Sequence, residues 1–328
     1  MSHSPTDATP PIFACPVDVR PDALAVLYRR APAEFRPQMV ADALAESRAG
    51  RLDLTGLWVA QRRGRLVGAL LTHALAGRAA AVWAPEVEMI WGRAALAASL
   101  LRTALADLQA RGVRVAQALV DPSGPATTEG DLIRGGLPRV TTLTFLERAT
   151  DRPAPDEVAW GAAWPSFRWA TLGPDTEDDF RAVLEATYRD SLDMPELDGV
   201  RSLDDVLASH RAAGRFEPTH WSVGHLDGEP AAAAVLLLSE VPDRQVWEIA
   251  YLGLTPAARG RGLGRAALIY ASRQARAAQI SRIELAVDAR NIPARHLYAA
   301  AGYRPFDRRN VHLAILNPSH PDRPPGRA

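Results

Sequence analysis

The chain has 328 residues, and its 38 acidic residues balance its 38 basic residues, so the formal net charge is zero. A balanced charge argues against a nucleic-acid or anionic-membrane partner, because both need an excess of positive charge. The length is comfortable for two domains of roughly 150 residues each. No segment approaches the ~20 consecutive apolar residues that a membrane span requires.

Two residue counts exclude further classes of protein. Cys15 is the only cysteine, which excludes an intrachain disulfide and a thiolate metal cluster. All 38 basic residues are arginine, so a Walker A loop and Schiff-base chemistry, which both need a lysine, are excluded as well. No spacing of side chains indicates a metal site. Because the start lacks a signal-peptide pattern, we expect a cytoplasmic protein.

Composition along the chain predicts five segments. The polar, proline-rich start predicts a disordered lead-in, a proline-rich stretch near the midpoint predicts a linker, and a similar stretch at the end predicts a loose tail. The predicted boundaries are 1–17 for the lead-in, 18–149 for a first domain, 150–165 for the linker, 166–316 for a second domain and 317–328 for the tail.

The first domain is predicted to begin with two helices and a hairpin that turns at Gly64. An extended segment then leads to a long helix over Gly92–Gly112. A strand, a short helical stretch near residues 130–134 and two further strands complete the domain.

The second domain is predicted to contain nearly the same elements in the same order. Its first helix follows Asp175, a plausible N-cap, and its second follows Ser202. A turn at Asp227–Gly228 joins two strands. The remaining predicted elements are a strand at 246–254, a glycine-rich turn, a helix from about 262 to 278, a strand, a short helix at 293–301 and two last strands.

A short sequence repeat supports an internal duplication. The letters GRAAL occur at 92–96 and again at 264–268, an offset of 172 residues. The matching order of predicted elements in the two halves agrees with this interpretation. The alternative is a chance match in a chain rich in alanine and arginine.

The glycine-rich turn predicts an anion site. An apolar strand ends, Pro256 turns the chain, and Gly260, Gly262 and Gly264 precede a long helix. Glycines allow backbone N–H groups to point into one space, and the first turn of the helix adds its own unpaired N–H groups. Such a cradle suits a pyrophosphate. Two alternatives remain open, namely a helix entry with a solvated basic face and a dinucleotide-binding fold.

Two motifs together resemble those of the GCN5-related N-acetyltransferase (GNAT) family. The first is RGRGLG at 259–264, which fits Gln/Arg-x-x-Gly-x-Gly/Ala, and the second is NIPARHLYAAAGY at 291–303, about thirty residues later. The likeness covers 167–316 in element order and is sharp over 247–306. The first half matches only in layout, so the chain resembles a tandem member with a degenerate first copy.

The resemblance implies an α/β fold of two tandem GNAT-like domains, each a mixed, V-splayed β-sheet flanked by helices. It implies acetyl-CoA as co-substrate, bound in the opening between the fourth and fifth strands, and no metal. Leu254 and Thr255 would lie along its acetyl and pantetheine part, and Asn291 near the thioester. The expected pyrophosphate contacts are Arg259, Gly260, Arg261, Gly262, Leu263, Gly264 and Arg265.

The implied activity is direct transfer of acetyl to an amine of a small molecule, peptide or protein in a ternary complex. Tyr298 falls where many family members keep a tyrosine that protonates the CoA sulfur. Glu248 is at the spacing of a family general base, and a structural or binding carboxylate is the alternative. Tyr251 is a lesser candidate because its strand parity is opposite to that of Glu248 unless a bulge intervenes.

The acceptor is expected at the loop between the first two helices of the second domain. This loop carries Asp190, Asp193 and Glu196, which could attract a cationic amine. An acidic, solvated loop is the alternative meaning. The oligomeric state is open.

The first domain lacks the residues of the site. Glu86 and Glu88 stand where the glycine turn should be and would repel a pyrophosphate, and Leu132 or Ile133 falls at the position of Tyr298. Two other functions remain possible, a non-catalytic acyl-CoA-binding or regulatory module and an acyltransferase that uses a longer acyl-CoA.

Overall fold

The computed structural model describes residues 10–89, 91–151, 153, 167–229 and 231–316. Contacts divide the chain into two units. The first unit is Met1–Val140 with Asn310–Ala328, and the second is Thr141–Arg309.

Within its described residues, the first unit contains four α-helices and a mixed sheet. Its helices are α1 (Arg20–Leu27), α2 (Arg36–Arg48), α3 (Arg93–Ala110) and α4 (Ala126–Gly135). Its strands are β1 (Ile12–Ala14), β2 (Leu57–Arg62), β3 (Arg65–Leu75), β4 (Ala79–Val82), β5 (Glu86–Val87), β6 (Val115–Val120) and the part of β13 (Arg304–Ile315) that begins at Asn310.

The sheet of the first unit is antiparallel from β1 through β2 and β3 to β4. Strand β4 then pairs with β6 in parallel, and β6 pairs with residues 310–315 in antiparallel orientation. Two apolar clusters form the core of this unit. One contains side chains of α3, α4 and the sheet, and the other contains side chains of α1, α2 and the sheet.

The second unit also contains four helices of the described chain and a mixed sheet. Its helices are α5 (Glu177–Tyr188), α6 (Leu203–Ala212), α7 (Leu263–Ala277) and α8 (Ile292–Ala300). Its strands are β7 (Arg139–Ala149) from Thr141 onward, β8 (Phe167–Thr171), β9 (Trp221–Leu226), β10 (Ala232–Val241), β11 (Val246–Leu254), β12 (Arg282–Asp288) and the first half of β13.

The sheet of the second unit repeats the order of the first. Strands β8, β9, β10 and β11 are antiparallel, β11 pairs with β12 in parallel, and β12 pairs with residues 143–149 of β7 in antiparallel orientation. The final strand of each sheet is therefore supplied by the other half of the sequence. In the second unit this strand is β7, which follows α4 in the chain.

Alternate residues of the buried strand β10 contact helices on the two faces of the sheet, as strand geometry requires. Val235 and Leu237 pack in a cluster with α5 and α6. Leu236 and Leu238 pack in a second cluster with α7 and α8. The helices thus hold the two strands of the later site, β11 and β12, from both sides.

Several predicted boundaries differ from the structure. The expected lead-in of residues 1–17 includes β1, because Ile12 and Phe13 are apolar and pair with β2. The expected domains 18–149 and 166–316 exchange their last strands, as described above. The expected strand pairs near 139–149 and 304–315 are each one continuous strand. Most of the expected linker and all of the expected tail lie outside the described residues.

Helix starts were predicted with mixed success. Ser202 caps α6 with a complete capping box, in which its side chain accepts the N–H of Asp205 at 3.1 Å, so this prediction is confirmed. The N-cap of α5 is Thr176 and not Asp175. Glu177, Asp178 and Asp179 then occupy its first turn, where negative charge stabilises the helix dipole.

Candidate functional site

The central strands of the second unit separate and open a cavity. Strands β11 and β12 pair only at Trp247 with Ile283 and at Glu248 with Glu284. Beyond these pairs the strands diverge around a cavity of about 800 Å³. Its lining includes residues 249–254 of β11, residues 285–287 of β12, the glycine-rich turn, the loop after α5 and one face of α8.

A β-bulge at Ala250 sets which side chains share a face of β11. Leu238 of β10 pairs with Ile249, whereas Leu237 pairs with Tyr251, so Ala250 is the extra residue. A bulge reverses the alternation of side chains. Glu248 and Tyr251 therefore lie on the same face of the strand, which removes the parity argument against Tyr251.

The glycine-rich turn presents a row of free amides. Gly260 and Gly262 have φ angles of +72° and +78°, a conformation that disfavours residues with a β-carbon. None of the described residues accepts a hydrogen bond from the N–H groups of residues 260–264, while the neighbouring amides of Ala258 and Arg265 bond within the turn. Free amides at the start of a helix are the arrangement that the predicted anion cradle needs, and anion binding by this turn stays a prediction.

Gly264 is required by close packing and not by its backbone conformation. A β-carbon at this position would lie 2.8 Å from Cδ2 of Leu297, a distance that forces a shift of the neighbour. The start of α7 therefore lies directly against α8, the helix that carries Tyr298.

Arg259 lines the cavity, and its side chain bonds to four backbone carbonyl oxygens. Its guanidinium donates to the backbone carbonyl oxygens of Thr187, Arg189 and Asp190 at 2.9, 2.7 and 3.0 Å, and its Nε donates to that of Leu254 at 3.2 Å. Charged donors to the last carbonyls of a helix stabilise its C-terminus. The guanidinium thus binds the end of α5, and the expected phosphate contact from this side chain stays a prediction.

The other expected cofactor residues divide into two groups. Leu254, Leu263 and Arg265 line the cavity. Thr255 is outside the lining, and its N–H donates to the carbonyl of Ala233 at 2.9 Å. Arg261 is about half exposed and donates to Glu229 at 3.0 Å.

Tyr298 lies in the wall of the cavity on α8. Its side chain is buried, and burial, with a smaller effect of the negative charge of Asp193, raises its pKa well above the ordinary value. Asn291 also lines the cavity and is the N-cap of α8, where its Oδ1 accepts the N–H of Ala294 at 3.2 Å. A phenol held in its protonated form is a proton donor and not a base at neutral pH.

Tyr251 belongs to a polar cluster between β11 and the helices α5 and α6. Its hydroxyl is 3.0 Å from Oγ1 of Thr187, and its ring is 5.1 Å from that of Tyr188. Tyr188 in turn bonds Nε2 of His210 at 3.1 Å. Burial raises the pKa of Tyr251 to about 12 and lowers the pKa of His210 to about 4, so both groups are neutral near pH 7.

The acidic loop divides between the cavity and the surface. Asp190 and Asp193 line the cavity. Glu196 does not, because its carboxylate receives two hydrogen bonds from Arg290 at 2.6 and 2.9 Å. These bonds lower the pKa of Glu196, and they hold it away from the cavity.

Glu248 precedes the cavity lining by one residue and is outside it. Burial is the main cause that raises its pKa, the charge of Glu284 adds to this, and Arg244 opposes it. Glu284 is itself buried and paired with Arg244 and Arg282. Glu248 is thus a partly buried carboxylate that pairs in the sheet with the buried Glu284, at the last paired position of β11 and β12.

Sequence reasoning missed two residues that hold the loop in place. Asp288, at the end of β12, is fully buried and accepts hydrogen bonds from Thr141 at 2.5 Å and from the N–H of Met194 at 3.2 Å. Arg290 joins Asp288 to Glu196. The sequence signal for Asp288 was its position, because a charged residue ends the strand RIELAVD.

No group of three or more metal-ligating side chains is found among the described residues. Over the same ranges, no helix combines the length and the apolar composition that crossing a membrane requires.

Comparison with known proteins identifies the family. The family model of the acetyltransferase (GNAT) family matches residues 183–303. A mycothiol acetyltransferase of Beutenbergia cavernae is 36% identical over 208 residues, which cover 59% of this chain and 68% of that protein. The chain belongs to the GNAT acetyltransferase family. It is therefore an acyltransferase.

Two further comparisons extend the GNAT likeness to the first unit. A mycothiol acetyltransferase of Rhodococcus erythropolis is 27% identical over 270 residues, covering 74% of this chain and 86% of that protein. The crystal structure of a GCN5-related N-acetyltransferase from Sphaerobacter thermophilus, 20% identical, matches with a TM-score of 0.58 over 94% of this chain and 96% of that chain. The predicted fold of two tandem GNAT-like domains is confirmed.

The first GNAT-like unit has ion pairs at the equivalent place. Glu86 is buried and pairs with Arg30 at 2.5 Å and Arg29 at 3.8 Å. At the start of α3, Arg93 donates to the buried carboxylate of Asp131 at 2.8 and 2.9 Å.

Other expected residues of this unit are spread between the surface and the core. Glu88 is partly exposed and lies 3.8 Å from Arg65. Leu132 is buried, whereas Ile133 is exposed. Loss of the cofactor site in this unit stays a prediction.

Proposed function

We propose that the second unit transfers an acetyl group from acetyl-CoA directly to a primary amine while both are bound. The observation that carries the proposal is that one cavity is lined by Gly260, Gly262, Leu263 and Gly264, whose amides are free, and by Tyr298, whose phenol is buried. A pyrophosphate cradle and a proton donor thus lie on the same opening, as a CoA-dependent acyl transfer requires.

The residues present fit CoA at both ends of the cavity. The amide row and the positive end of α7 suit the pyrophosphate. Beyond Glu248 the edge of β11 that faces β12 is unpaired, so its backbone groups are available to an extended, amide-containing chain such as pantetheine. Bound there, acetyl-CoA supplies an acetyl thioester.

Tyr298 is proposed as the proton donor to the departing thiolate. Its raised pKa keeps the hydroxyl protonated through the neutral range, and a positioned general acid contributes about 10²–10⁴ in rate. The alternative, that Tyr298 only packs in the core, predicts no effect on rate when its hydroxyl is removed.

The base that the family resemblance indicates is Glu248. Its raised pKa suits the role, since a base works best with a pKa near the working pH. Its position outside the cavity lining means that a proton from the acceptor would have to reach it through water.

The acceptor is proposed to be a small amine related to mycothiol. Relatives at 36% and 27% identity are named mycothiol acetyltransferases, and acidic residues of the cavity suit a cationic amine. The desacetylated form of mycothiol, which has the free amine, is therefore the first compound to test, and mycothiol, which already carries the acetyl group, is its control.

The experiment is a transfer assay with the purified chain, acetyl-CoA and each compound, in which CoA release and the mass of the product are both measured. We expect one acetyl group on nitrogen of the acceptor. Binding of acetyl-CoA without turnover on any amine would support a regulatory module, and turnover only with longer acyl-CoAs would change the donor.

A further inference from the structure

One carboxylate of the cavity wall is held in a fixed position and keeps an oxygen available. The N–H of Asp288 donates to Oδ1 of Asp193 at 2.9 Å, and Asp193 lines the cavity and is accessible from it. None of the described residues donates to its Oδ2. Because one oxygen is anchored to the end of β12, the direction of the other is set by the backbone.

Asp193 and Tyr298 line the same cavity, and other charged and titratable groups interact with Asp193. The facing charged and titratable groups are Asp288 and Arg290 at the end of β12, Tyr298 on α8, Tyr251 on β11 and Tyr188 on α5. The negative charge of Asp193 contributes to the raised pKa of all three phenols. It therefore lies within electrostatic reach of Tyr298, the proposed donor to sulfur.

The other carboxylates are less suited to contact an acceptor. Glu248 is outside the lining, and Glu196 is bound by Arg290. Asp190 lines the cavity at a φ of +54°, but its carboxylate has no described hydrogen bond that fixes it.

We infer that Asp193, and not Glu248, binds the acceptor amine as its ammonium ion and is the group that takes the proton from it. The inference rests on the proposed function and deepens it, because it assigns the acceptor subsite and the class of acceptor, a primary amine that arrives protonated.

The step balances in protons and electrons. The ammonium gives one proton to Asp193, and the freed lone pair forms the C–N bond with the carbonyl carbon of the thioester. The C–S bond breaks, its electron pair remains on sulfur, and the proton of the Tyr298 hydroxyl neutralises the thiolate. A second proton leaves the nitrogen and restores Tyr298, and Asp193 releases its proton to solvent.

Burial, and then the charge of Asp288, raise the pKa of Asp193, while the hydrogen bond from the Asp288 N–H and the charge of Arg290 lower it. A raised pKa makes a carboxylate a stronger base. A bound ammonium favours the ionised carboxylate, so binding prepares the group for the transfer that follows.

The test uses the full chain loaded with CoA, and ethanolamine as the probe amine. Saturation-transfer NMR measures the affinity of ethanolammonium, with ethylene glycol as the uncharged comparison. Asp193→Asn keeps an oxygen that accepts the Asp288 N–H and removes the charge. Asp198→Asn is the matched control, because Asp198 is in the same loop, exposed and outside the cavity lining.

We expect Asp193→Asn to lower the affinity for ethanolammonium at least ~10-fold, because one charged hydrogen bond is lost. The affinity for ethylene glycol should be unchanged. Asp198→Asn and Glu248→Gln should bind ethanolammonium as the unmodified chain does. Equal affinity of the unmodified chain and Asp193→Asn, or no detectable binding to either, would overturn the assignment.

A second measurement separates proton removal from binding. Hydroxylamine is largely uncharged at pH 7, so its transfer does not require a base. Asp193→Asn should lose ~100-fold in rate with ethanolamine and retain most of its rate with hydroxylamine. Equal losses with both amines would contradict the role as base. Failure of the unmodified chain to bind CoA at all would instead remove the proposed function.

Discussion

Arg259 donates a hydrogen bond of 3.0 Å to the backbone carbonyl of Asp190, and this contact joins the glycine-rich turn to the acidic loop. The same guanidinium bonds the carbonyls of Thr187 and Arg189. The residue that begins the cofactor motif thus positions the loop that we assign to the acceptor.

Arg259→Ala should affect the acceptor more than acetyl-CoA. In the proposed binding mode the turn contributes backbone amides to the phosphates, which the substitution leaves in place. The end of α5 and the start of the acidic loop together lose three charged hydrogen bonds. We expect KM for the amine to rise ~10-fold or more and Kd for acetyl-CoA to stay nearly constant, as measured by steady-state kinetics and calorimetry. Arg304→Ala, on an exposed part of β13, is the control and should change neither value. A large loss of acetyl-CoA affinity with KM for the amine unchanged would show that the side chain contacts the phosphates.

Gly262→Glu should abolish acetyl-CoA binding. It places a carboxylate against the phosphates, and it forces a side chain into a backbone conformation with φ of +78°. Gly262→Ala has only the backbone cost of roughly 1–2 kcal/mol. It should bind acetyl-CoA more weakly than the unmodified chain does, but with an affinity that can still be measured. Calorimetric titration with acetyl-CoA distinguishes the two variants.

The first unit provides a matched control for these substitutions. Gly92 is the left-handed N-cap of α3, with φ of +72°, and a β-carbon added to it would have no atom within 4 Å. Gly92→Ala should lower thermal stability by a similar amount and leave acetyl-CoA affinity unchanged. Reduced affinity in Gly92→Ala would place a second cofactor site in the first unit.

Tyr298→Phe should lower the rate of transfer by ~10² or more without changing the Kd of acetyl-CoA. The ring still packs, and only the hydroxyl is lost. Tyr303→Phe is the comparison, since the Tyr303 hydroxyl is buried without a hydrogen-bond partner among the described residues and its ring lies 5.9 Å from that of Tyr298. Equal rates for Tyr298→Phe and the unmodified chain would remove Tyr298 from the chemistry.

His210 should make the second unit less stable in acid. Burial, and then the charge of Arg201, lower its pKa from 6.5 to about 4. The unfolded chain therefore binds the proton more readily, so the stabilisation is complete above pH 6.5 and is lost as pH falls towards 4. The loss is about 3 kcal/mol across that range. Urea unfolding measures the free energy of unfolding at pH 7 and at pH 4.5. The difference between these two free energies should be smaller for His210→Gln than for the unmodified chain. The same pH dependence in both proteins would mean that other groups cause it.

Local patterns predicted the glycine-rich turn and the start of α7 well. Glycines that need a positive φ, followed by an amphipathic helix, specify a turn and a helix start from a few adjacent residues. The predicted helix over 262–278 is observed as Leu263–Ala277. The bulge in β11, which the sequence analysis left open, is observed at Ala250.

The repeated letters GRAAL mark different places in their two helices. Gly92 is the N-cap of α3, whereas the N-cap of α7 is Gly262, and Gly264 is already inside the helix. The structural offset is therefore 170 residues and not 172. Identity of letters cannot reveal this, because a backbone conformation depends on the residues on both sides.

Strand exchange and long side chains could not be predicted from the sequence. Alternation of apolar residues in β7 and β13 indicates that each is a strand, but it does not indicate which sheet receives it. Arg259 and Arg290 each reach partners many residues away. Their side chains are long enough to reach either a ligand or a backbone carbonyl, and only the fold decides between these.

The central claim is that the second unit alone holds acetyl-CoA, through the amides of its glycine-rich turn. Isothermal titration of the full chain with acetyl-CoA tests this most directly, because it gives stoichiometry together with affinity. The account predicts one site per chain in the unmodified protein and none in Gly262→Glu. Two sites per chain, or one site that persists in Gly262→Glu, would contradict it.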